Sequence, residues 1–86
     1  LDDSVGRELA LIRVKADGVN RAQIIQIVEI FRANIVDVND RSLMIEITGA
    51  EDKVEAMLQL LRPYGIMEIA RTGKVAMVRG VKAQAG

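Results

Sequence analysis

Ile24-Ile25-Gln26-Ile27-Val28-Glu29-Ile30-Phe31 and Val54-Glu55-Ala56-Met57-Leu58-Gln59-Leu60-Leu61 are two copies of one pattern, about thirty residues apart. In each, apolar side chains recur at i, i+3, i+4 and i+7, which places them on one stripe of an α-helix. Working outward, an extended run precedes each copy: Glu8-Leu9-Ala10-Leu11-Ile12-Arg13-Val14, then Ser42-Leu43-Met44-Ile45-Glu46-Ile47. Another follows each: Ile35-Val36-Asp37-Val38, then Ile66-Met67-Glu68-Ile69. A repeated strand–helix–strand predicts an α+β, ferredoxin-like βαββαβ sandwich, with a four-stranded antiparallel sheet and both helices on one face.

The punctuation agrees with the repeat. The first strand is expected from about Arg7 to Ala16, with Ala10, Ile12, Val14 and Ala16 on one face and Leu9, Leu11, Arg13 and Lys15 on the other. Asn20 with Gln23, and Thr48 with Glu51, have the spacing of reciprocal helix caps. Asn34 is placed to end the first helix, because asparagine tolerates the left-handed conformation there. Pro63 prevents continuation of the second, and Gly65 takes the matching stop position. Asn39-Asp40-Arg41 reads as a tight turn between antiparallel strands. Lys74 to Arg79 reads as a further extended segment, beside the fourth strand or continuing it. Residues 1–6 read as a linker end, 7–80 as the domain and 81–86 as a frayed tail.

Composition narrows the function. The 86 residues contain neither histidine nor cysteine, which removes the commonest general base, the usual zinc ligands and the thiolate nucleophile. The carboxylates scatter over turns and helix faces, with no evident pair converging on a cleft. Twelve basic and twelve acidic residues cancel, so the attraction typical of a nucleic-acid or anionic-membrane binder is missing. RNA modules on this strand order stack bases on aromatic residues of the two central strands. Here the central strands are expected to be the first and third, and neither has an aromatic residue. No apolar run approaches the ~20 residues that span a bilayer. Absent cysteine fits a reducing compartment.

Several groupings have both a plain structural reading and a functional one. Asp17-Gly18-Val19-Asn20-Arg21 sits where a strand meets a helix N-terminus and reads foremost as an ordinary turn. Asn20-Arg21 is the only approximation to a phosphate-handling cradle. Arg71-Thr72-Gly73-Lys74 with Arg79 gathers positive charge at one end of the sheet, as a protected edge or a grip for carboxylates. Arg32 and Asp37 are placed to pair across the surface. Met44, Met57, Met67 and Met77 read as gap-filling core residues. A sheet with both helices on one side leaves its other face bare, with Leu9 and Leu11 on it, and Ile30 and Leu60 point outward from their helices. Exposed apolar groups in a small domain suggest contact with another protein.

Several strings, in order and spacing, carry a family resemblance. Glu8-Leu9-Ala10-Leu11-Ile12-Arg13-Val14, Ile30-Phe31-Arg32-Ala33-Asn34-Ile35-Val36-Asp37-Val38, Glu46-Ile47-Thr48-Gly49 and Glu68-Ile69-Ala70-Arg71-Thr72-Gly73-Lys74 resemble the small regulatory subunit of acetolactate synthase (acetohydroxyacid synthase). The resemblance covers about Arg7 to Gly80 and corresponds to the part downstream of that subunit's N-terminal ACT domain.

The resemblance implies a non-catalytic role with no cofactor in this chain. The implied partner is a catalytic large subunit that uses thiamine diphosphate, Mg²⁺ and FAD. The implied action is activation of that subunit and feedback inhibition by branched-chain amino acids, typically valine. It further implies contact with the ACT domain of the same subunit, a homo-oligomer, and a cytoplasmic location, or a plastid or mitochondrion in a eukaryote. Asp17 to Arg21 departs from the Asp-x-Pro-Gly-like loop of effector-binding ACT domains, so the effector-binding residues stay unassigned. The candidate partner contacts are Leu9, Leu11, Ile30, Leu60, Arg71, Thr72, Gly73 and Arg79. The competing expectation is an ACT-like domain that senses an amino acid directly.

Overall fold

A computed structural model describes residues 6–72 of the chain. Gly73, Lys74, Met77, Arg79 and the boundaries expected near both ends lie outside the described residues. The elements run β1 (Arg7–Lys15), α1 (Gly18–Ile30), β2 (Asn34–Val38), β3 (Ser42–Ala50), α2 (Glu51–Leu61), a 3₁₀ turn (Arg62–Tyr64) and β4 (Ile66–Arg71). The strands lie in the order β2-β3-β1-β4, each antiparallel to its neighbours. This is the expected ferredoxin-like α+β arrangement, with the first and third strands central.

Alternation decides the two faces of the sheet. Ala10, Ile12 and Val14 of β1 and Leu43, Ile45 and Ile47 of β3 are buried against the helices. Ile24 and Val28 of α1 and Val54, Met57, Leu58 and Leu61 of α2 close the core. Register puts Ile12 opposite both Ile45 and Ile69. Burying each such aliphatic side chain contributes about 1.5–3 kcal/mol, which is how a core with no buried aromatic holds this sheet together.

The helix ends differ from the sequence expectation. α1 starts at Gly18 with Asp17 as its N-cap, so Asn20 lies inside the first turn rather than capping it. Likewise β3 runs on to Ala50, and Ala50, not Thr48, precedes α2. Neither cap residue makes a side-chain cap bond. α1 ends not at Asn34, which opens β2, but at Arg32, whose φ is +56°. Ala33 N–H donates to Val28 O at 2.9 Å and Arg32 N–H to Glu29 O at 3.1 Å. That paired pattern is a Schellman stop, and it satisfies carbonyls that the last turn leaves free. The second stop matches expectation: Pro63 sits in the 3₁₀ turn and Gly65 follows at φ +106°.

The β2–β3 turn is built around Asn39. Its Oδ1 accepts bonds from Arg41 N–H and Ser42 N–H, both 2.9 Å, while Asn39 N–H donates to Ser42 O at 3.0 Å. Arg21 Nη2 reaches across from α1 and lies 2.8–3.0 Å from the carbonyl oxygens of Ala16, Asn39 and Asp40. This guanidinium therefore brackets the start of α1 to the hairpin, which gives Arg21 a structural role.

Candidate interaction surfaces

Three surfaces carry the residues of interest, and each follows from strand parity or helix position. On the bare sheet face, register aligns side chains in cross-strand rows. One row runs Asn34, Glu46, Leu11, Ala70; the next runs Asp37, Met44, Arg13, Glu68. A third places Thr48 beside Leu9. Leu9, Leu11 and Met44 are half-buried, although no helix among the described residues covers that face. Met44 is thus a surface residue rather than core filler. So is Met67, the extra residue of a β4 bulge beside Arg13 and Val14, at 57% exposure. Among the described methionines, only Met57 is in the core.

Charge on this face is unevenly satisfied. Arg13 Nη2 meets Asp37 Oδ2 at 3.5 Å, and its Nη1 donates to Ser42 Oγ at 2.9 Å. Asp37 therefore pairs across the sheet with Arg13 and not with Arg32, because the β2 bulge between Ile35 and Asp37 turns it onto the bare face. Glu46 and Glu68 make no ion pair or hydrogen bond among the described residues.

The second surface is the seam between the start of β1 and the end of β4. Arg71 Nε and Nη2 donate to the two carboxylate oxygens of Glu8 at 3.2 and 2.5 Å, and Nη1 donates to Glu55 Oε2 at 2.6 Å. The Glu8 side chain is only 1% exposed. The bond to Glu8 pushes the guanidinium pKa upward, burial opposes this, and the bond to Glu55 adds to the rise. Arg71 stays charged, and its charge is met from inside the domain. Thr72 is also bound inward: its Oγ1 accepts from Leu9 N–H at 2.9 Å, and its N–H donates to Leu9 O at 3.0 Å. The Glu8 carboxylate was not singled out from the sequence. Its signal was parity, since Glu8 shares the face of Ala10, Ile12 and Val14, where a charge needs a partner.

The third surface is the outer side of the helices and sheet edges. Ile30 is 72% exposed and Leu60 48%. Val19, Val36, Val38 and Ile69, which sequence reasoning did not single out, are exposed as well. Val38 and Ile69 sit across from core residues Leu43 and Ile12, on edge strands that the helices do not fully roof. Only their edge position distinguishes them from buried neighbours, and no periodicity encodes it.

Among the described residues there is no grouping of side chains suited to hold a metal ion, and no helix long and apolar enough to cross a membrane.

Comparison with known proteins gives one consistent result. Residues 7–80 match the family described as the small subunit of acetolactate synthase. The chain is 59% identical over 81 residues to a probable acetolactate synthase small subunit of Archaeoglobus fulgidus, covering 94% of this chain and 51% of that one. It is 57% identical over 79 residues to the acetolactate synthase small subunit of Mycolicibacterium smegmatis, covering 92% and 46%. A crystal structure of the small subunit from Thermotoga maritima superposes with a TM-score of 0.74 at 52% identity, over 80% of this chain and 42% of that one. The chain spans about half the length of the curated relatives it matches.

Proposed function

We propose that this chain, which belongs to the acetolactate synthase small-subunit family, is a non-catalytic regulatory domain acting on a catalytic large subunit through protein–protein contact. The observation that carries this reading is the family match across residues 7–80. The fold adds a physical reason, since among the described residues one sheet face has no covering layer.

In this reading the domain supports activation of the large subunit and its feedback inhibition by branched-chain amino acids. Thiamine diphosphate, Mg²⁺ and FAD belong to the catalytic partner. An N-terminal ACT domain of the same subunit holds the effector, the subunits form a homo-oligomer, and the assembly works in the cytoplasm. An effector changes activity only by binding two arrangements of the assembly with different affinity, and a relay domain must contact different surfaces in each. Leu9, Leu11, Ile30 and Leu60 offer apolar contact area for that purpose. Arg71 and Thr72 act more indirectly, by holding the β1–β4 seam.

The test is capture of the catalytic subunit by this chain, with acetolactate formation measured alongside. Retained capture with altered activity supports the proposal. A chain that neither captures the subunit nor changes its rate refutes it, and micromolar saturable binding of valine to this chain alone would make it a sensor instead.

A further inference from the structure

We draw no further inference here: the strongest candidate, the bare sheet face where Leu9, Leu11 and Met44 lie among charges of both signs, carries nothing because nothing in the structure shows what covers it.

Discussion

α1 and α2 start from matching sequence and finish at different depths. α2 buries Val54, Met57, Leu58 and Leu61, whereas α1 buries only Ile24 and Val28 and leaves the counterparts Ile27 and Phe31 half-covered. α2 packs on both central strands, β1 and β3, while α1 leans on edge strand β2 and on α2 itself. A helix over the middle of a sheet has neighbours on both flanks; one near an edge keeps a flank in water. Periodicity thus sets which side of a helix turns inward, and its place over the sheet sets how far.

The sharpest way to break this comparison is a matched pair of truncations. Met57→Ala in α2 is expected to cost about 3 kcal/mol, as a cavity in a closed core does, and Ile27→Ala in α1 about 1 kcal/mol. Urea unfolding measures both, and equal losses would mean the two helices are equally committed to the core.

Next comes the way each edge strand is held. Arg71→Ala removes the partner of a carboxylate that stays buried, so a loss of about 2–3 kcal/mol is expected. On the opposite edge, Asp37→Asn breaks a pair whose acid is 59% exposed, and a loss of about 0.5 kcal/mol is expected, fading with added salt. Denaturation midpoints at two ionic strengths separate these behaviours.

Comparably small effects lie at the helix exits, where the halves use different residues for left-handed backbone. Arg32→Gly is expected to relieve strain and stabilise by about 0.5–1 kcal/mol, while Gly65→Ala costs about 1 kcal/mol. Thermal melts read both, and changes of the same sign would show that the two exits are not comparable.

Much of this arrangement was legible beforehand, for physical reasons. The stripes at 24, 27, 28, 31 and 54, 57, 58, 61 and the alternation in β1 report which side is dry, and a dry side largely dictates the layers. Asn20 and Thr48 are good cap residues that the chain does not use as caps; β3 runs three residues beyond Ile47, and main-chain bonds at Arg32 end α1. Asp37 was misassigned because a bulge reverses side-chain parity with no mark in composition. The Arg71–Glu8 pair joins residues far apart in sequence, so only the odd charge on a core-facing parity hinted at it. For the candidate surfaces, Leu9 and Leu11 followed directly from strand alternation.

The seam between β1 and β4 has a mechanical consequence. The entry to β1 and the exit from β4 stand side by side at the same end of the sheet, so whatever is joined to either is delivered to one corner of the domain. A pull applied through both would open antiparallel rungs singly, like a zip, instead of shearing them all at once. Arg71 with Glu8, and Thr72 with Leu9, latched at the first of those rungs, would carry the load first.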